Sequence, residues 1–299
     1  MPLSDRNYFL TGASGFVGKS VFSFLGEDNV QIWKRNESFQ LDGAVSVIHL
    51  AGMAHDLKNT SSSQEYYEVN TELTKKVFDA FLESDAKVFI GLSSVKAAAD
   101  EVKGELTEHY PPNPITHYGK SKLLAEQYIF SREIPEGKRI YILRPCMIHG
   151  AGNKGNLNLL YKLVSKNIPW PLGAFENKRS FCSIDNLLFI MNELIEGEDI
   201  LSGIYNVADD EPISTNELIG LIAQSQNRKP IIWNISKKLI AGVASLGDKL
   251  YLPLNTERLQ KLTSSYVVSN AKIKAAIGKP LPISSREGLL KTFKSFNNS

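Results

Sequence analysis

Tyr118 and Lys122 stand four residues apart in the stretch "HYGKSKLLAEQYIF". On a helix this spacing puts both side chains on one face. A free phenol titrates near ~10, too high for acid–base work at neutral pH. An ammonium beside it favours the phenolate and is expected to lower that value. Tyr118 could then exchange a proton with a sugar hydroxyl or a carbonyl. The plain alternative is a surface ion-and-phenol pair. Upstream, "KVFIGLSS" reads as a strand ending in Ser93 and Ser94. Ligands of open α/β sheets bind beyond the carboxyl ends of the strands. A serine there can hydrogen-bond the substrate oxygen that Tyr118 works on, although either hydroxyl could instead cap a turn.

A second constellation lies near the start, in "NYFLTGASGFVGKSVFSFLG". Gly12 permits a tight turn between strand and helix, Gly15 a close approach by a phosphate, and Gly18 close packing of helix on strand. Backbone N–H groups and the helix dipole then favour a pyrophosphate. The spacing is G-x-x-G-x-x-G rather than G-x-G-x-x-G, so plain turn chemistry is the competing reading. The next strand, "VQIWKR", is tipped by Lys34 and Arg35, where an NAD site usually has a carboxylate for the ribose. Two cations suit a 2′-phosphate, which favours NADP(H). NAD(H) stays possible, because Glu37 could still bond a ribose.

These residues need a scaffold, and the pattern around them supplies one. "NYFL", "VQIW", "VSVIHL", "KVFIGLS" and "RIYILRP" are short β-rich runs that are nearly continuously apolar, as buried parallel strands are. Helical patterns lie between most of them, at Phe16 to Leu25, Gln64 to Leu82 and Tyr118 to Ser131. The alternation predicts an α/β fold with a doubly wound parallel sheet. The second half is mostly helical after "GIYNVAD", and predicts a smaller lobe on the sheet's edge. The expected division is 1–152 plus about 181–210 for the dinucleotide domain, and about 153–180 plus 211–299 for the substrate lobe. The 299 residues and their 42% apolar content are ample for such a core. A net charge of +2 does not point to nucleic acid. Two cysteines, Cys146 and Cys182, suggest neither a disulfide framework nor a metal site. The start "MPLSDRNYF" lacks a signal-peptide pattern, and no apolar run is long enough to span a bilayer. A cytoplasmic protein without membrane insertion is the expectation.

Taken in order, "TGASGFVG", "VIHLAG", Val69–Asn70, "LSS", "YGKSK", "LRPCMIHGAG" and "RSFCSIDNL" resemble the extended short-chain dehydrogenase/reductases. The resemblance is to their branch of sugar-nucleotide epimerases, dehydratases and 4-ketoreductases, and covers nearly the whole chain. It implies a Rossmann-type sheet with Tyr118 as acid–base, Lys122 as its partner on the nicotinamide ribose, and Ser94 orienting the substrate. Ser14, Phe16 and Val17 would join the three glycines along the pyrophosphate. Leu50, Ala51 and Gly52 would follow the adenosine side of the cofactor, and Arg144 and Pro145 the nicotinamide end. Arg179 would meet the nucleotide diphosphate, and Asn156 and Lys96 the substrate. The substrate implied is a nucleotide sugar, with UDP the favoured carrier, and the assembly implied is a homodimer.

Two departures shape the expected reaction. Only some ten residues separate "VQIWKR" from "VSVIHLAG", where the family usually fits a helix and a third strand. "SFQLDG" can supply a short edge strand at most. Val95 and Lys96 stand where the dehydratase branch has Asp and Glu, which argues against dehydration. A 4-ketoreductase is the favoured reading, on Lys34, Arg35 and Lys96. A 4-epimerase is the alternative, and a non-catalytic nucleotide sensor remains a further class.

Overall fold

The computed structural model describes residues 7–53, 62–153, 155–250 and 255–297, and all of Asn156 but its side chain. The first half alternates strand and helix: β1 (Asn7–Thr11), α1 (Phe16–Leu25), β2 (Val30–Ile32), β3 (Ala44–His49), α2 (Ser63–Tyr67), α3 (Leu73–Glu83) and β4 (Val88–Leu92). Next come β5 (Glu105–Leu106), α4 (His117–Ser131), β6 (Arg139–Pro145), β7 (Met147–His149) and α5 (Asn156–Ser165). The remainder is β8 (Phe181–Ser183), α6 (Ile184–Glu196), β9 (Gly203–Val207), α7 (Thr215–Ser225), α8 (Lys237–Leu250), α9 (Thr256–Thr263), β10 (Val267–Val268), α10 (Ala271–Ile277) and α11 (Ser285–Phe296).

Six strands form one parallel sheet in the order β2-β1-β3-β4-β6-β9. Alternate residues of each strand supply different cores, as a period of two requires. Tyr8, Leu10, Ile48, Ile90, Tyr141 and Leu143 pack with α1 and α6. Phe9, Val47, Phe89, Ile140 and Ile142 pack with Val77, Phe78 and Phe81 of α3 and Ile129 of α4. Both faces are covered, so the strands read as unbroken apolar runs. A third cluster, with Trp170, Leu218, Ile222, Ile240 and Phe293, fills the helical second half.

No strand forms between Ile32 and Ala44, so "SFQLDG" does not reach even the short edge strand that was the most it could supply, and β2 is the sheet's edge. The chain steps outward from β1 to β2 and then returns to the other side of β1. That reversal opens the crevice in which α/β sheets hold ligands.

Candidate active site

The glycine turn lies at the mouth of this crevice. Gly12 has φ +75°, and a Cβ on it would lie 2.5 Å from the Ala51 backbone nitrogen. A Cβ on Gly18 would meet the Gly12 carbonyl oxygen at 2.0 Å. These two glycines therefore let β1, α1 and the end of β3 close on one another. Gly15 is different: its φ is −72°, and a Cβ there would find only the Gly12 oxygen, at 3.4 Å. It leaves room on the ligand side. Gly15 also begins α1 without a side-chain cap, and the first turn has no acidic residue. By contrast, Thr116 caps α4, Ser183 caps α6, Ser214 caps α7 and Ser284 caps α11. An uncapped helix start with a cradle that a Cβ would fill suits an anion such as a dinucleotide pyrophosphate. Ser14, Phe16 and Val17 lie on the same turn. Gly15→Ala is expected to leave the melting temperature nearly unchanged while weakening dinucleotide binding by about tenfold or more. Thermal melts and a titration on the same variant check both halves.

Leu50, Ala51 and Gly52 run alongside, held by a polar clamp. Thr11 Oγ1 accepts from the Ala51 N–H at 3.1 Å and meets His49 Nδ1 at 2.7 Å. His49 Nε2 meets Thr74 Oγ1 at 2.9 Å, and burial lowers the imidazole pKa to about 3, so it stays neutral. Asn70 grips Met53 through both its amide N–H, at 2.8 Å, and its carbonyl, and donates to Ser121 of α4 at 3.0 Å. It sits in a π-helical stretch, Glu68–Glu72, that joins α2 to α3. Such bulges re-aim a side chain at a functional site. A Cβ on Gly52 would lie 2.9 Å from Lys122 Nζ, so this glycine makes space for the lysine.

The catalytic candidates meet here. Ser94 ends the chain leaving β4; its hydroxyl accepts from the Lys96 N–H at 3.2 Å and also hydrogen-bonds the Tyr118 side chain. Capping and contact with the tyrosine are thus combined in one residue. Ser93 instead donates to Glu126. Tyr118 and Lys122 both lie on α4, and Tyr66 packs edge-on to the Tyr118 ring at 6.1 Å. The phenol is raised above its ordinary value, chiefly by burial, with the Ser94 bond pulling the other way. This departs from the lowering expected of a neighbouring ammonium. Lys122 donates to the Leu92 carbonyl at 2.8 Å, and desolvation of the ring outweighs any help to the phenolate.

Lys122 is itself buried, and burial lowers its pKa from 10.5 to about 8, against an opposing pull from Glu126. Rising pH through about 8 therefore discharges it, and kcat/KM should fall there. Stability moves the other way. Between the folded value of about 8 and the unfolded value of 10.5 the unfolded chain binds more protons, so this group makes the fold gain stability as pH rises. A pH–rate profile with no alkaline limb would show that the lysine charge is not needed.

The Arg144 side chain has a partner within the protein. Its guanidinium is buried and pairs with Glu126 of α4 through two hydrogen bonds, Nε to Oε1 at 2.9 Å and Nη2 to Oε2. The side chain braces β6 against α4. The Arg144 guanidinium is thereby committed inside the protein. Glu126 carried no signal in the sequence, because nothing local ties it to Arg144, eighteen residues away.

Beyond Tyr118 lies a cavity of about 580 Å³, whose wall includes Lys96, Met147, Arg179, Lys261 and Tyr266. Lys96 donates to the Asp100 carbonyl at 2.7 Å and rests over the Tyr266 ring at 4.5 Å. Arg179 is tied to the carbonyls of Ser264, at 3.1 Å, and Lys261. It is a built-in cation rather than a loose surface one. Lys34 and Arg35 are exposed on the turn after β2, and the Glu37 carboxylate accepts from the Lys34 N–H at 3.3 Å. Asn156 opens α5, and its side chain lies outside what the structure describes.

This geometry has relatives. A curated UDP-glucose 4-epimerase of Vibrio cholerae is 27% identical across 97% of this chain and 95% of its own. An Escherichia coli O157:H7 enzyme named N-acetyl-alpha-D-glucosaminyl-diphospho-ditrans,octacis-undecaprenol 4-epimerase is 29% identical across 75% of this chain and 74% of its own. The crystal structure of UDP-glucuronic acid 4-epimerase from Bacillus cereus with NAD superposes with a TM-score of 0.75 over 98% of this chain and 99% of that one, at 18% identity. The family model for the NAD dependent epimerase/dehydratase family matches residues 8–208, and with that span of the sequence behind it the chain belongs to this family.

Proposed function

We propose that the protein exchanges a hydride and a proton at C4 of a hexose carried on a diphosphate, as a 4-epimerase. The observation that carries this is the Tyr118 hydroxyl, bonded to Ser94, on the wall of a cavity that Arg179 and Lys261 also line. A bound nicotinamide dinucleotide supplies hydride acceptance and return. Tyr118 would take the proton from the C4 hydroxyl as the carbonyl forms and return it to that same oxygen when hydride is delivered to one face or the other of C4. Ser94 holds the same oxygen, and the charge on Lys122 favours the phenolate. Arg179 and Lys261 neutralise the diphosphate. The two curated relatives described above both carry 4-epimerase names, which supports epimerisation over one-way reduction.

The 4-ketoreductase is the second reading, favoured by Lys34 and Arg35. The Glu37 carboxylate is turned onto its own loop, which supports leaving a 2′-phosphate to the two exposed cations. Dehydration finds no support: Asp100, on the cavity wall, is spent on the N–H groups of Ile115 and Thr116. The test is to purify the protein without added dinucleotide, denature it and identify what is released. The expected result is one equivalent of NAD(H), with C4 epimers interconverted without added cofactor. An empty protein that consumes NADPH against a 4-keto sugar would replace this reading by the reductase.

A further inference from the structure

The cavity beside Tyr118 does not end at Arg179. A second chamber of about 490 Å³ adjoins it, and Met147, Arg179, Phe181 and Lys261 line both. The two cations at the shared wall set the place of the diphosphate. One phosphate leads to the sugar and Tyr118. Whatever is esterified to the other phosphate must occupy the second chamber.

That chamber is a poor host for a nucleoside. Its wall is Leu157, Leu160, Leu163, Trp170, Leu218 and Leu262, with the exposed Leu159 at its rim. A base and a ribose need converging polar partners, and here the polar side chains are few: Ser214, Thr215 and Arg258, besides the shared Arg179 and Lys261. Ser214 caps α7 by accepting from the Glu217 N–H at 3.1 Å. Thr215 accepts from Asn177 at 2.9 Å. A wall of leucines suits hydrocarbon.

A second observation comes from the same lobe. Helix α8 buries Ile240, Ala244 and Gly247 against the lobe's core. A neighbouring stripe, Leu239, Val243, Leu246 and Leu250, recurs at helical spacing and is left 45–61% exposed. Lys237, Lys238 and Lys249 flank it. The segment entering α8 exposes Ile231 and Trp233, and it pairs with the segment of Trp170 from the chamber wall. Residues 211–299 hold 13 Lys and Arg against 5 Asp and Glu, a net +8 in a chain whose total is +2. An apolar stripe between lysines, on a strongly basic lobe, is the pattern of a helix lying in an anionic bilayer surface. Among the described residues no helix is long and apolar enough to cross a membrane.

We infer that the leucine chamber receives the first isoprene units of a polyprenyl diphosphate sugar, met at an anionic membrane surface through the exposed stripe of α8. The sugar end of this inference rests on the C4 chemistry proposed above. The carrier end does not, and it is tested without any sugar. Binding of farnesyl diphosphate and of UDP to the full chain is measured by calorimetry. Farnesyl diphosphate should bind at least about tenfold more tightly than UDP. Leu159→Glu, at the exposed rim, should weaken farnesyl diphosphate by about tenfold and leave UDP within about twofold. Flotation with phosphatidylcholine vesicles, with and without phosphatidylglycerol, tests the surface. The protein should float only with the anionic vesicles, and Leu239→Glu with Leu246→Glu should abolish this without changing farnesyl diphosphate affinity.

UDP binding as tightly as farnesyl diphosphate would overturn the inference while leaving the C4 chemistry standing. Failure to float with anionic vesicles, with a change of mass in solution for the α8 double variant, would assign the stripe to a second copy and also overturn it.

Discussion

Tyr118→Phe should lower kcat by about 10²–10⁴-fold while dinucleotide affinity stays within about twofold. The substitution removes one oxygen and keeps the ring that packs against Tyr66. The fold therefore has no reason to change. The lost oxygen is bonded to Ser94 and stands on the wall of the cavity where the sugar would lie. A group that moves a proton in the transition state affects kcat, whereas a group that only holds the ligand affects KM. Ser94→Ala should give a smaller loss, and the double variant little more than Tyr118→Phe alone, because both act on one oxygen. A Phe variant with full activity would remove Tyr118 from the reaction.

Glu126→Leu should destabilise the protein by about 3–5 kcal/mol, since it strands a buried guanidinium. The Arg144 side chain is 2% exposed and its partner 3%, so water cannot replace the lost carboxylate. For a chain of this length such a loss should shift the melting temperature by roughly 10 °C. Replacing both residues, as Glu126→Leu with Arg144→Met, should recover most of it, because the desolvation of two charges is then avoided. The single variant has a second readout. Glu126 supports the charge on Lys122, so its removal should move the alkaline limb of the rate profile below about 8. An unchanged melting temperature would mean that the pair contributes nothing to the fold.

Much of the scaffold was legible from local pattern. The apolar runs became the six strands of the sheet, and Phe16–Leu25 forms a helix with the bounds its pattern implies. Strand and helix are written in the sequence as periods of two and 3.6, over windows of a few residues. The missing third strand was legible too, because ten residues cannot hold a helix and a strand. The spacing of Tyr118 and Lys122 and the order of three glycines were readable for the same reason.

What the sequence determined by itself was therefore the kinds of elements, their order, and the residues that share one helix face or one turn. What only the tertiary structure decided was how those residues are solvated and paired. Burial raises the Tyr118 phenol where adjacency alone predicted a fall. Arg144 is committed to Glu126, and Asn70 ties the end of β3 to α4 across 51 residues. The leucine chamber is built from α5, α7 and α9 around Arg179, elements separated by long stretches of chain. Desolvation and pairing depend on which groups exclude water from one another, and that follows from packing between distant segments rather than from any local period.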